Sequence, residues 1–206
     1  MALSTRGKLA VRSAMDIEQG FEPPLDFTFM CLTSVADCLE EQPRDTTPEK
    51  SKTQTSQEHK QQEAIKRKTN AIRLSNNVIT EWRELSSTVQ KLVENPNDIE
   101  WIDLSFNDLT SIDKCVLEYP NLKVLYLHGN SIEKITEIDK LNSLLHLKTL
   151  TLHGNPIEVS CKGYRQYVLS RLPLLKNIDF SCVTKSDRAC GHTWHEMNKQ
   201  KRKKTD

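Results

Sequence analysis

The side chains best equipped for chemistry in this sequence are few and far apart. His128 and His153 hold the same place in two copies of the string LHGN, at 127–130 and 152–155. Imidazoles one repeat apart can begin a metal site, but two nitrogens with no third carboxylate or thiolate at ligand spacing leave a divalent ion under-coordinated. Cys182, Cys190, His192 and His195 form a looser group that lacks the tight cysteine pairing of a zinc finger. No metal and no cofactor are expected. The chain has no G-x-x-x-x-G-K, G-x-S-x-G, H-E-x-x-H or G-x-G-x-x-G string and only six glycines, so no motif gathers acids, bases and nucleophiles into a cleft. An enzyme is not expected and no catalytic residue is assigned. The chemistry left is recognition, and its candidates are Arg73, Trp101, Asp103, Tyr126, His128, Thr151 and His153.

A repeated pattern selects those seven. Leucine-like residues and an asparagine recur at the first, fourth, sixth, ninth and eleventh places: Ile99, Ile102, Leu104, Asn107, Leu109; Leu122, Leu125, Leu127, Asn130, Ile132; Leu147, Leu150, Leu152, Asn155, Ile157. This is L-x-x-L-x-L-x-x-N-x-L three times over, with a degenerate earlier copy at Ile72, Leu74, Asn77 and Ile79. The fourth and sixth places flank one outward residue of a short strand. The asparagine follows where the backbone leaves the strand, and its carboxamide can donate and accept for amides otherwise buried without partners. Asn77, Asn107, Asn130 and Asn155 are therefore structural. The third, fifth and seventh places stand on the concave sheet as columns: Ala71, Trp101, Val124, Thr149 and Asn177; Arg73, Asp103, Tyr126, Thr151 and Asp179; Ser75, Ser105, His128, His153 and Ser181. Trp101 and Tyr126 are expected side by side and exposed, and large surface aromatics are enriched at binding hot spots.

The elements that must position these columns follow from spacing. The fold expected is an α/β repeat: a short solenoid of about four repeats with a parallel concave sheet, a helical or irregular convex side and a C-terminal cap. The long interval after Asn77 predicts a convex helix over 81–94, with Trp82, Leu85, Val89, Leu92 and Val93 on one face. Shorter convex segments run over 112–119 and 135–145. A cap helix places Tyr164 and Tyr167 on the core, and Leu175, Ile178 and Phe180 supply a last strand. Thr184 with Asp187 marks another helix start, interrupted at Gly191 and fraying into Lys199, Lys201, Arg202, Lys203 and Lys204.

Five segments result: residues 1–20 disordered; 21–42 apolar and docked on an edge of the repeats, or a detachable partner-binding peptide; 43–68 a disordered linker ending in a basic strip; 69–183 the repeat domain with its cap; 184–206 helical, then a basic flexible tail. With 36% hydrophobic and 28% charged residues, the chain supports one globular domain plus tails. No apolar run is long enough to span a membrane. The six cysteines show no C-x-x-C spacing, which favours a reducing, cytoplasmic compartment. The net charge of +1 hides a slightly acidic repeat domain between basic flanks.

With the repeats, the Asn155-Pro156 turn and the tyrosine-containing cap in place, residues 99–179 resemble intracellular leucine-rich repeat proteins of the phosphatase-regulator type, whose cap is shared with the spliceosomal A-prime protein. The strings WIDLSFNDLTSID, VLYLHGNSI, LTLHGNPIE, GYRQYVL and VTKSDR, with PPLDF upstream, are more closely similar to a small leucine-rich repeat protein of ciliated animals. The resemblance covers about residues 21–198. It implies a non-enzymatic scaffold or adaptor that holds a protein partner on its concave face, in the cytoplasm and at the cilium or axoneme, with no membrane contact. A subunit of an RNA–protein complex and a phosphatase regulatory subunit are the alternatives. Nucleic-acid contact by the repeat domain itself is not expected, because its concave face carries few cations.

Overall fold

The structure, a computed structural model, describes residues 23–44 and 66–202, the last four by backbone alone. The expectations for residues 1–20, for Phe21, for most of the linker and for the end of the tail lie outside the described residues. Each period forms one three-residue strand: β2 (Ala71–Arg73), β3 (Trp101–Asp103), β4 (Val124–Tyr126) and β5 (Thr149–Thr151). They pair parallel without slippage, so Ala71, Trp101, Val124 and Thr149 form one row and Arg73, Asp103, Tyr126 and Thr151 another. With β1 (Leu25–Asp26), β6 (Asn177–Ile178) and β7 (Ser181–Cys182) the sheet has seven strands in chain order, parallel except for the β6–β7 pair. This is the short solenoid with a parallel concave sheet that the spacing predicts.

The register is fixed by burial and by a ladder of carboxamides. The leucine-like places point between the layers and are buried without exception in the three full repeats, and a slip of one residue would turn them all to solvent. Asn130 Nδ2 donates to Leu127 O of its own repeat and Leu104 O of the one before, while its Oδ1 accepts from Leu109 N. Asn107 and Asn155 repeat this pattern. Asn77 repeats it toward Phe27 O and Leu32 N. Each asparagine thus satisfies three buried backbone groups that no strand reaches.

That last set shows what the N-terminal segment is. Leu25 pairs with Ile72 and Asp26 with Arg73, Phe27, Leu32, Val35 and Cys38 are buried, and Arg44 N donates to Asp26 O. Leu25-x-Phe27-x-x-Met30-x-Leu32 is a further repeat with methionine in the asparagine's place. A 3₁₀ turn at Val35–Leu39 packs against the convex helix.

That helix, α1 (Leu85–Leu92), is shorter than the predicted 81–94. Glu84 takes φ 66°, a left-handed conformation that an α-helix cannot continue through. Trp82 is buried ahead of it, with Nε1 donating to Ser111 O at 2.7 Å. The later convex segments tighten into 3₁₀ turns at Lys114–Glu118 and Ile135–Ser143. After α2 (Pro156–Ser160), the cap helix α3 (Tyr164–Arg171) buries both tyrosines. Tyr164 donates to Asp179 Oδ2 at 3.0 Å and Tyr167 to Asp139 Oδ1 at 2.9 Å.

Two expectations at this end need correction. The final helix α4 (Lys185–Arg202) is not interrupted at Gly191. Gly191 is buried, and a Cβ there would lie 3.1 Å from that of Leu169, so the glycine is what lets α4 lie close on α3. Phe180 does not extend the last strand into the core. Asp179 and Phe180 take φ 50° and 58°, the chain reverses into β7, and the Phe180 ring is 62% exposed.

Candidate functional site

The strands bring a line of aromatic rings together on the concave face. Arg73 Nη1 bonds Asp26 Oδ2 at 2.9 Å and its Cζ lies 5.9 Å from the centre of the Trp101 ring. Trp101 meets Tyr126 edge to face at 5.8 Å, as rings on adjacent parallel strands can. Tyr126 stands 6.0 Å from His128 and 5.5 Å from Phe180. His128 and His153 stack at 4.7 Å with an 8° tilt, and Phe180 sits beside both at 5.4 and 5.5 Å. Phe106 closes the other side of His128 at 5.0 Å. The line crosses β2 to β6, roughly 19 Å at the usual strand spacing.

Not every predicted column residue is presented to solvent. Trp101, Tyr126, His153 and Arg73 are half-buried. Asp103 is only 6% exposed, with Oδ1 accepting from Ser105 N at 3.0 Å and Ser105 Oγ at 2.6 Å. Thr151 is fully buried, and its hydroxyl lies 2.8 Å from His128 Nδ1. His128 is itself buried beneath its ring neighbours. Asp103, Thr151 and His128 therefore support this face from below. Asp179 and Ser181 leave their predicted columns as well: Asp179 Oδ1 accepts from Leu152 N and His153 N, and Ser181 belongs to the antiparallel β7.

Phe106 and Phe180, 53% and 62% exposed, are the most exposed rings of this aromatic line, and the columns did not include them. The signal in the sequence was a bulky apolar residue just before the Asn107 turn, where the next two repeats carry Gly129 and Gly154. Gly129 has φ 67°, and a Cβ on it would fall 2.6 Å from Phe106 Cδ1. The glycine makes room for the ring that lies across it.

Burial first, and then the neighbouring His153, hold the His128 imidazole below its usual pKa, with Asp103 and Asp179 partly opposing. Its ring is neutral at physiological pH. Burial and the charge of Asp103 push the Tyr126 phenol upward. The face thus offers aromatic rings and hydrogen-bonding tips, suited to recognition. Among the described residues no three His, Cys, Asp or Glu side chains are placed to hold a metal ion, and no helix is long and apolar enough to cross a membrane.

A sequence model for the leucine-rich repeat matches residues 61–205. Leucine-rich repeat-containing protein 51 of Bos taurus is 46% identical over 177 residues, 86% of this chain and 87% of its own length. The protein of that name from Homo sapiens is 43% identical over the same shares. Among solved structures, a chain of the Drosophila melanogaster SNF/U2A′ complex aligns with a TM-score of 0.51 at 23% identity, covering 61% of this chain and 67% of that one. That likeness is one of fold.

Proposed function

This chain belongs to the leucine-rich repeat family, and from that premise we propose that it is a non-enzymatic scaffold or adaptor whose concave sheet holds a protein partner. The observation that carries the reading is the line of rings from Trp101 to Phe180, ending in exposed phenylalanines that contribute little to the core. The mechanism is rigid presentation. Rings fixed by a ladder of strands lose little conformational entropy on binding, so more of the contact energy becomes affinity. Trp101 and Tyr126 present the middle of the face, with Arg73 and His153 at its flanks, while Asp103, His128 and Thr151 hold it in shape. A cytoplasmic setting is supported by six cysteines that are all free thiols. The cilium or axoneme as the place of action rests on the family resemblance.

The test is affinity capture from nuclease-treated extract of ciliated cells, comparing the native chain with Tyr126→Ala plus Phe180→Ala after circular dichroism shows that both fold. Specific proteins captured by the native chain and lost by the folded variant are expected, and axonemal proteins among them would support the ciliary setting. Unchanged capture would refute the concave-face reading. Capture that vanishes on nuclease treatment would favour an RNA–protein complex instead.

A further inference from the structure

We propose that the end of the concave face bounded by Phe106 and Phe180 binds a basic segment of the partner protein, seating an arginine or lysine side chain against its rings. The inference rests on the concave-face reading and adds the chemistry of what is bound.

The rings come first. Phe106 and Phe180 are exposed, and both sit at positive φ, 52° and 58°, a region that side chains other than asparagine or glycine seldom adopt. Asn76, Gly129 and Gly154 fill the place of Phe106 in the neighbouring repeats, all three with a residue type such a backbone accepts, and only the N-terminal repeat has a phenylalanine there, Phe29 at φ 57°. A phenylalanine there rests on Gly129 and the edge of His128 but leaves about half of its surface in solvent. Its ring face is available for a contact from outside, and an aromatic face attracts a cation within about 6 Å of its centre.

Charge selects the same occupant. Asp103 is held by Ser105 N and Oγ, and Asp179 by Leu152 N, His153 N and the Tyr164 hydroxyl, with the His153 Nδ1 3.4 Å from its Oδ1. The amides and hydroxyls among these partners are neutral donors and bring no positive charge of their own. His128, between them, is neutral at physiological pH. Lys148 and Lys176 precede β5 and β6 at the opposite end of the strands. Lys148 is five residues from His153, about 16 Å, and its amine is turned to Leu145 O. That is beyond the screening length of about 8 Å at physiological ionic strength. A partner's carboxylate would meet two acidic side chains here, Asp103 buried and Asp179 half-buried; a guanidinium or ammonium would be drawn to them.

The molecule already shows the pose. The Arg73 guanidinium carbon lies 5.9 Å from the Trp101 ring centre, and that of Arg44 5.9 Å from the ring of Phe29, the residue in the N-terminal repeat that corresponds to Phe106. Arginines of this chain thus stack at the N-terminal end of the same face, while Phe106 and Phe180 keep ring surface in solvent.

A random display library of peptides about a dozen residues long, selected on the full chain and counter-selected on Phe106→Leu plus Phe180→Leu, tests the proposal. Leucine keeps apolar bulk at two exposed sites and removes the ring quadrupole, so the variant should still fold cooperatively, its melting temperature lowered only by the lost edge contacts with His128, Tyr126 and His153. The expected result is a retained set enriched in Arg and Lys over the input library. The best peptide, resynthesised with citrulline for arginine, should bind at least about tenfold more weakly. Asp103→Asn should weaken the arginine peptide several-fold and leave the citrulline peptide unchanged. A retained set rich in Asp or Glu, or equal binding of the arginine and citrulline peptides, overturns the proposal. Peptides without Arg or Lys that still depend on the two rings overturn it while sparing the concave-face reading; peptides that bind native and variant chains equally refute both.

Discussion

Phe106 joins a backbone cost to a surface ring. At φ 52° an L residue with a bulky side chain gives up on the order of 1 kcal/mol, and the edge-on contact with His128 returns a similar amount. Replacing it by asparagine, the residue at Asn76 in the preceding repeat, relieves the first and forfeits the second. Phe106→Asn should therefore shift urea-unfolding stability by less than about 1 kcal/mol, while partner capture falls at least tenfold. A comparable loss of stability would mean that the ring is there for the fold. At this scale the sequence was legible where a residue answers to its own repeat: the four asparagines sit where their spacing puts them. It was less legible where a residue answers to neighbours in space. Alternation shows which side chains leave the sheet on the concave side, but not that Asp103 folds back on Ser105 or that Thr151 lies under His128.

Among the elements, α4 shows how docking is fixed by a few contacts at its start. Thr184 and Asp187 bond reciprocally, and Arg165 of α3 forks onto the Asp187 carboxylate at 3.1 and 3.0 Å. Arg165 first, then the Thr184 amide and hydroxyl, hold the Asp187 carboxyl well below its ordinary 3.8. A carboxyl whose pKa is depressed by folding contributes stability above its unfolded value and loses it as pH falls toward the folded one. The contribution of Asp187 is thus complete above about pH 4 and fades below it. Urea midpoints measured between pH 6 and 2.5 should fall more steeply for the native chain than for Asp187→Asn, the two converging at the acid end; parallel curves would show that the fork does not hold α4 in place. Thr184 and Asp187 are readable in sequence because a helix start is local. Gly191 was misread because its role lies in Leu169, on another helix, and glycine within a helical pattern is otherwise a breaker.

Over the whole molecule, a solenoid's weak points are its two ends, because each repeat is covered only by its neighbours. The C-terminal end is closed by α3 and α4. The N-terminal end is closed by residues 25–44, which reach β2 across a long polar linker and continue both the sheet and the asparagine ladder. The repeat in this segment is masked in the sequence by Met30, which stands where the ladder calls for asparagine, although Leu25, Phe27 and Leu32 keep the spacing. Among the described residues no repeat precedes it to need a carboxamide from that place, so within them the substitution costs the ladder nothing. Without this segment, the Asn77 oxygen loses the amides of Met30 and Leu32, and Ile72 and Leu74 lose their cover. A chain beginning at residue 45 should then be less stable by at least about 3 kcal/mol, since burying each large apolar side chain is worth about 1.5–3 kcal/mol. Because the segment is joined through a linker, a synthetic peptide of residues 23–44 should restore the cap in trans. The melting temperature of the shortened chain should rise with peptide concentration, as it does for any ligand that binds only the folded form. The same peptide with Phe27→Ser should have no such effect, because Phe27 is fully buried in the cap. A shortened chain that melts like the full one would show instead that the repeats close without this segment, leaving it free to serve a partner.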